Sequence, residues 1–335
     1  MSGYPVSWYP LCRSSDLKPG QARRVVAWGR PWAVWRSAAG QVSALEAICS
    51  HMGADLGRGR VVGEALQCPL HHWQYGADGR CVHIPASAAI PARACQQALP
   101  CIERYGLVFG ALGDPPAFPP FAGEGQARWS RPSVTDAPIA LETLVANSFD
   151  GQHFATVHDR ELLAPVEVAQ DGPHHLRIAY RARVAGRRLG DRLMRAVGIA
   201  TVGIEIHCWG GNLMQVYNKR TPNTILVAIL PVEAGRSLVF VTTVMAQRVG
   251  GLQGVIQRLQ LAVAHRFTLA FLRPDLAALA GMALRPRVLL PEADSTFVAW
   301  LRYWRALPRP DGQATHNGHE PALLAFEAAQ ERPDA

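Results

Sequence analysis

The sequence predicts an α+β protein in which a small antiparallel β domain precedes a larger domain of strands and long helices. First, residues 1 to about 120 contain short segments in which apolar and polar residues alternate between Gly, Pro and Asp turn signals. Second, the Pro- and Gly-rich stretch GALGDPPAFPPFAGEGQ is typical of a linker. Third, long helical patterns appear only after this stretch. We expect domains at residues 1–120 and 121–310, followed by a flexible tail at 311–335.

The second domain can be divided into elements from its sequence pattern. A helix-like segment at residues 141–158 comes first, and strands follow at TILVAILPV and RSLVFVTTVMAQ. A long helix is predicted from about Leu252 to Leu279, and a last helix from about Thr296 to Leu307. Hydrophobic residues make up 49% of the chain and charged residues 18%, which indicates a folded globular protein and excludes a disordered one.

Charge and targeting signals narrow the setting in which the protein works. The N-terminus lacks the basic start and apolar run of a signal peptide, and no apolar stretch reaches the roughly 18 residues that span a bilayer, so we expect a cytoplasmic protein. Seven cysteines without an export signal favour metal binding or free thiols over disulfides. The net charge is +8, and arginines crowd residues 177–195. That cluster is either a solvated face or a docking surface for an acidic protein or an anionic membrane.

The first candidate metal site is the stretch CSHMGADLGRGRVVGEALQCPLHH. Cys49 and His51 are one residue apart, and Cys68 and His71 are two apart. Two Cys and two His suit either structural zinc or a Rieske [2Fe–2S] cluster. Zinc fingers tend to pair Cys with Cys and His with His, whereas here each short loop supplies one of each. The pairing favours the iron–sulfur cluster, with zinc as the alternative and His72 as a neighbour of the ligands.

The second candidate metal site is the segment VANSFDGQHFATVHD. Its polar residues Asn147, Asp150, His153 and His158 form the pattern N-x2-D-x2-H-x4-H. On an ideal helix the two histidines would diverge by about 140°, so binding one metal would require a break or a widened turn between them.

Together these motifs resemble the Rieske non-heme iron oxygenases, and closest in look are the steroid and sterol oxygenases and the aminopyrrolnitrin N-oxygenases. The resemblance implies an N-terminal all-β Rieske [2Fe–2S] domain and an α+β catalytic domain of the helix-grip type with an antiparallel sheet. It implies that Cys49 and Cys68 hold one iron of the cluster, and that His51 and His71 hold the other. Asp150 matches the aspartate that connects the cluster of one subunit to the iron site of the next in a ring of three.

By the same resemblance His153 and His158 are two ligands of a mononuclear Fe(II) held by two histidines and one carboxylate, and Asn147 matches a polar residue near the iron. The third ligand is expected downstream, and the candidates are Asp275 and Asp294, which lie 19 positions apart. In relatives the ligand lies within a long helix, with an acidic residue about that far beyond it, so we choose Asp275. The chain departs from the family pattern at two positions. Ala146 stands where many relatives have Glu, and Pro274 stands where they have Gln or an acidic residue.

The resemblance implies a monooxygenase that uses O₂ and receives electrons from a separate NAD(P)H-dependent reductase or ferredoxin. The expected substrate is a bulky hydrophobic molecule, and a sterol or steroid is the first choice. The alternative is an arylamine that is oxidised at nitrogen. A Rieske electron-transfer protein without oxygenase activity is the rival of another class. We expect a homotrimer in the cytoplasm, with contact to the inner face of the membrane and no nucleic-acid partner.

Overall fold

The computed structural model describes residues 3–121, 126–186, 189–196, 198–218, 220–247 and 251–310, and the predicted tail at 311–335 lies outside them. Antiparallel strands predominate over helices in the described residues, and the predicted α+β class is confirmed. All seven cysteines are free thiols. Among the described residues, no helix is long and apolar enough to cross a membrane.

The N-terminal part of the chain forms three small antiparallel sheets. Their strands are β1 (Ser7–Arg13), β2 (Ala22–Ala27), β3 (Arg30–Arg36), β4 (Val42–Glu46), β5 (Arg60–Val62), β6 (Ala65–Gln67), β7 (Gln74–Tyr75), β8 (Cys81–His83), β9 (Ala98–Leu99), β10 (Cys101–Arg104) and β11 (Leu107–Leu112). The strand orders are β1-β11-β10, β2-β3-β4-β9 and β5-β6-β7-β8. One cysteine of the first motif comes shortly after β4 and the other directly after β6, so both predicted ligand pairs lie in loops between strands.

The second part is a nine-stranded antiparallel sheet with helices against it. Its strands are β12 (Ala127–Trp129), β13 (Ser133–Ala137), β14 (Arg160–Leu162), β15 (Glu167–Gln170), β16 (His175–Val184), β17 (Thr201–Trp209), β18 (Leu213–Asn218), β19 (Asn223–Glu233) and β20 (Arg236–Ala246). The order is β12-β20-β19-β18-β17-β16-β14, with β13 also paired to β20 and β15 to β16. The two strands predicted here from apolar runs correspond to β19 and β20.

The helices are α1 (Leu141–Ala146), α2 (Gly151–Thr156), α3 (Leu189–Ala196), α4 (Gly251–Leu279) and α5 (Ser295–Ala306). The predictions for α4 and α5 are correct to within one residue at each end. The helix-like segment at 141–158 is instead divided, because a 3₁₀ turn at Asn147–Phe149 separates α1 from α2. Asp150 has extended backbone there and caps α2.

One buried core continues from the N-terminal sheets into the large sheet, and it includes Trp8, Phe109, Ile229 and Phe240. The turn between β2 and β3 also reaches across: the backbone N–H groups of Trp28 and Gly29 donate to carbonyl groups of β19 at 2.8 and 2.7 Å. Both turn residues have positive φ, 53° and 73°, as a two-residue hairpin turn requires. The division into domains at residue 120 stays a prediction, since the core is continuous across it.

Asn212 joins the two parts at a fully buried position between β17 and β18. Its amide donates to the carbonyl oxygens of Trp8 (2.9 Å) and Ile229 (3.3 Å), and its Oδ1 accepts from the hydroxyl of Ser7. One side chain thereby satisfies polar groups of β1 and of β19. Buried polar groups that lose their partners cost about 1–3 kcal/mol each, so this amide is a major point of attachment.

We predict that Asn212→Ala destabilises the protein by about 3 kcal/mol, because it leaves the Ser7 hydroxyl and two carbonyl groups buried without their partner. The urea midpoint of fluorescence-detected unfolding is expected to fall by about 1 M. Asn218→Ala is the matched control: this half-buried Asn accepts one bond from the N–H of Arg220, and the change should cost less than about 1 kcal/mol. Equal midpoints for the two variants would contradict the role given to Asn212.

Candidate functional site

The two histidines of the second motif converge because α2 ends between them. The Asp150 carboxylate caps the helix by accepting from the backbone N–H groups of Gln152 (2.9 Å) and His153 (3.2 Å). The helix stops at Thr156, and His158 lies beyond it. The imidazole centroids are 4.8 Å apart at an angle of 85°, and both side chains are buried. The helix end therefore supplies the break that the five-residue spacing required.

Asp275 of α4 meets both histidines. Its Oδ1 lies 2.8 Å from Nε2 of His158 and 3.2 Å from Nε2 of His153. The three ligand atoms lie within 4.8 Å of one another, and all three residues are buried. Oδ1 nevertheless has no hydrogen bond of acceptable geometry among the described residues. Two imidazoles and one carboxylate whose lone pairs face one buried point fit a divalent metal, and this donor set is that of non-heme Fe(II) sites with open positions.

The charge state of Asp275 also fits a metal site. Burial raises the pKa of this carboxyl, but the nearness of His153 and His158 outweighs burial and holds the pKa below its ordinary value. The carboxylate is therefore ionised at neutral pH, as a metal ligand must be.

Aromatic side chains enclose this site. Phe271 stacks on His158 with centroids 4.1 Å apart, and Phe154 stacks on Tyr180 at 4.3 Å. The Tyr180 hydroxyl donates to the Ser148 carbonyl. These contacts hold the imidazole of His158 in one orientation and keep water away from it. The motif analysis missed Phe271, although its position one turn before Asp275 on the same helix could have indicated it.

The two remaining predicted residues, Asn147 and Asp294, lie in different places. Asn147 places its Nδ2 3.3 Å from Nε2 of His153, in contact with a candidate ligand. Asp294 lies elsewhere, at the N-terminus of α5: its Oδ2 accepts from the backbone N–H of Leu290 at 2.7 Å, and its Oδ1 accepts from Gln152 at 2.8 Å. The structure brings Asp275, and not Asp294, to the histidine pair.

Pro274 stands inside α4, immediately before Asp275. It has no backbone N–H, so the carbonyl of Ala270 cannot receive the usual helical hydrogen bond from it. Pro274, which departs from the family pattern, therefore lies in the same helical turn as the candidate ligand Asp275.

The residues of the first motif lie at the tips of two facing loops. The loops are closed by bonds from the N–H of Cys49 to the Ala54 carbonyl (2.9 Å) and from the N–H of Cys68 to the Trp73 carbonyl (2.8 Å). Both cysteines are buried, whereas His51 and His71 are exposed, with ring centroids 4.7 Å apart. The exposed His72 has a left-handed backbone, with φ of 59°. A cluster bound here would have its thiolate side inside and its imidazole side at the surface.

Polar groups surround the two sulfur atoms. Burial raises the pKa of the Cys68 thiol, while the backbone N–H groups of Leu70 and His71 lower it, and the neighbouring Cys49 raises it. The Tyr75 hydroxyl lies 3.2 Å from Sγ of Cys49 and 3.1 Å from Oγ of Ser50. Such donors stabilise thiolate and sulfide charge. Tyr75 was not anticipated, because no spacing rule ties it to the motif.

A cavity of about 350 Å³ adjoins the two exposed histidines and is bounded by Trp73, Ile84 and the loop at 85–91. A larger cavity of about 620 Å³ lies between Tyr105 and Trp129, away from both candidate metal sites.

Comparison with known proteins gives the family of the N-terminal domain and the fold of the whole chain. Residues 7–101 match the family model of the Rieske [2Fe-2S] domain. Aminopyrrolnitrin oxygenase of Pseudomonas fluorescens is 35% identical over 165 residues, which are 45% of this chain and 45% of that protein. Cholesterol 7-desaturase of Ciona intestinalis is 42% identical over 107 residues, 32% of this chain and 23% of that protein. The chain matches less than half the length of these curated relatives.

Solved structures extend the likeness of fold over the whole chain. Apo dicamba monooxygenase superposes with a TM-score of 0.69 at 19% identity, covering 98% of this chain and all, 100%, of that one. NdmA of Pseudomonas putida CBB5, with caffeine, has a TM-score of 0.69 at 20% identity and covers 96% and 94% of the two chains. The chain therefore carries a Rieske [2Fe–2S] domain, with the cluster that this domain implies, and has the fold of the Rieske oxygenases.

Proposed function

We propose that this protein is a Rieske non-heme iron monooxygenase that oxidises a bulky hydrophobic molecule with O₂. The observation that carries the proposal is that one chain holds a Rieske domain and, apart from it, a buried group of three residues that could bind a metal. An electron-transfer protein would need only the Rieske domain, whereas here His153, His158 and Asp275 also converge at a buried point. Iron held by these three residues would supply the centre at which dioxygen is activated.

The residues around the buried site have separable tasks in this proposal. Asp150 caps α2 and thereby positions His153. Phe271 fixes the ring of His158, and Phe154 with Tyr180 excludes water. At the other site His51 and His71 face the surface, where a redox partner can approach them. Electrons enter from a separate NAD(P)H-dependent reductase or ferredoxin.

The assembly belongs to the same proposal. By its resemblance to the family the protein works as a homotrimer, in which Asp150 connects the cluster of one subunit to the iron site of its neighbour. Asp150 is half-buried and lies beside the histidine pair, which suits this role. We place the protein in the cytoplasm, in contact with the inner face of the membrane.

The substrate we propose is a sterol or another steroid. Cross-strand partners Ile206, Val216 and Ile225 form an apolar row that ends at Thr243. Thr243 hydrogen-bonds to His265 of α4, so the row lies on the face of the sheet that α4 covers. Val216 and Ile225 are only half-buried there. An apolar wall beneath the helix that bears Asp275 suits a large apolar ligand.

The named relatives also support this substrate class. One is a cholesterol 7-desaturase, and another, 3-ketosteroid-9-alpha-monooxygenase of Rhodococcus rhodochrous, is 32% identical over 160 residues, 45% of this chain and 41% of that protein. Arylamine N-oxygenation is the alternative, favoured by the likeness to aminopyrrolnitrin oxygenase. Product formation from sterols, ketosteroids and arylamines, assayed in parallel with a surrogate reductase, distinguishes the two.

Metal and sulfide analysis tests the oxygenase proposal directly. We expect about three irons and two acid-labile sulfides per chain, with a visible band that bleaches on reduction. Asp275→Ala should lose about one iron and all product formation while it retains the visible band. Asp294→Ala is the matched control and should retain all three irons. Two irons in the unmodified protein would instead favour an electron-transfer protein, and colourless protein with zinc would favour a structural site.

Removing the hydroxyl of Tyr75 is expected to lower the reduction potential of the cluster. The O–H group at Cys49 stabilises the more negative, reduced state, and one hydrogen bond of about 1 kcal/mol corresponds to about 40 mV for one electron. Protein-film voltammetry of Tyr75→Phe measures the shift. Tyr105→Phe, which alters an aromatic residue of the cavity remote from the cluster, serves as the control. An unchanged potential in Tyr75→Phe would exclude a bond from Tyr75 to the bound cluster.

Asp150→Asn should slow electron transfer between the two centres without loss of either metal. The amide oxygen can still cap α2, so the helix should persist while the negative charge is lost. Reoxidation of the prereduced cluster in the presence of substrate and O₂, followed by stopped flow, measures the rate. A rate equal to that of the unmodified protein would exclude the bridging role.

A further inference from the structure

The helix α4 has its two faces reversed relative to an ordinary surface helix. Its buried positions are largely polar, and they are Gln257, Leu261, His265, Thr268, Asp275 and Leu279. Gln257 donates to the carbonyl of Ala246, and His265 bonds to Ser133 at 2.8 Å and to Thr243 at 3.1 Å. The N-terminal part of the inner face is thus held by hydrogen bonds at Gln257 and His265, whereas Leu269, Leu272 and Leu276 of the C-terminal part pack on the core.

The outer face of the same helix is apolar and exposed. Its large side chains and their exposed fractions are Leu252 (75%), Val255 (62%), Ile256 (47%), Leu259 (67%), Val263 (47%) and Phe267 (57%). The intervals of three and four residues place them in one stripe along the helix, which we name the α4 stripe. Apolar surface gathered in this way marks a place of interaction, since scattered apolar residues would not align.

All exposed charge on α4 is positive. Arg258, Arg266 and Arg273 are exposed, and at 100° per residue all three lie to one side of the centre line of the stripe, Arg266 and Arg273 within its width and Arg258 beside it. Asp275 is the only acidic residue of α4, and it is buried at the metal site. An apolar stripe with a basic flank and no exposed acid matches the pattern of helices that lie in the interface of anionic membranes.

We propose that the α4 stripe docks the protein on the surface of a bilayer that contains anionic lipid. The apolar side chains would enter the boundary between headgroups and acyl chains, and the three arginines would contact the lipid phosphates. A symmetric contact between two copies through this face fits less well, because it would bring the arginine flanks together with no carboxylate on either helix to pair with them.

This docking places the metal site close to the membrane. Asp275 lies on the same helix, eight residues after Phe267, which is about 12 Å along the axis. A hydrophobic substrate dissolved in the bilayer would then have a short path to the apolar row beneath α4. The docking itself depends neither on iron nor on turnover, so it can be tested apart from the proposed oxygenase activity.

Flotation of the purified, cluster-containing protein with vesicles tests the proposal. We expect binding to vesicles of equal parts phosphatidylcholine and phosphatidylglycerol, weaker binding to phosphatidylcholine alone, and release as salt is raised. The double variant Leu259→Gln, Phe267→Gln should bind at least about tenfold more weakly, through lost apolar insertion. Neutralising Arg258, Arg266 and Arg273 to Gln should cost about fivefold per arginine on the anionic vesicles only.

Val82→Gln with Leu163→Gln is the matched control, since both residues are exposed apolar side chains outside α4. This control should bind vesicles as the unmodified protein does. Visible absorption and circular dichroism confirm that each variant is folded. Absence of binding by the unmodified protein, or equal binding by the stripe variant and the control, would overturn the proposal. If the unmodified protein does not bind vesicles and an α4 variant changes the mass of the oligomer, the stripe is a contact between copies of the chain and not a membrane surface.

Discussion

The convergence of His153, His158 and Asp275 constrains much of the second half of the chain. Each ligand atom must face one buried point, and one of the three residues comes from a helix more than a hundred residues away in sequence. This requires α2 to be short, capped at Asp150 and ended before His158. It also requires α4 to cross the sheet with a carboxylate turned inward. A charged group can lie there because the imidazoles, and a metal when bound, compensate its burial.

The cluster site is arranged differently, because the two cysteines of the first motif are buried while its two histidines are exposed. Burying the cysteines beside backbone N–H groups and Tyr75 stabilises negative charge on sulfur. Exposing His51 and His71 leaves one edge of the cluster at the surface. The continuous core and the Asn212 bonds then fix this domain against the large sheet. Within one chain, packing therefore determines how far apart the two candidate metal sites lie.

Most residues of the two candidate metal sites could be proposed from the sequence motifs alone, because metal binding restricts both the residue types and their spacing. Cys49, Cys68 and the two histidine pairs were proposed as ligands in this way, and their assignment stays a prediction. The boundaries of α4 and α5 were predicted correctly from the helical pattern. Tyr75 could not be found by spacing, since tertiary packing alone brings it beside Cys49. Phe271 lies one turn before Asp275 on α4, and that spacing could have indicated it. The reversed faces of α4 also escaped prediction. A periodic apolar pattern is ordinarily assigned to the core, and in the N-terminal part of α4 hydrogen-bonding side chains occupy the inner face instead.

Pro274 interrupts the backbone hydrogen bonds of α4. Because the Ala270 carbonyl is released from the helical ladder, bending is easiest one turn before Asp275. A tilt of the long N-terminal stretch would therefore bend α4 before Asp275 and leave this carboxylate beside the two histidines.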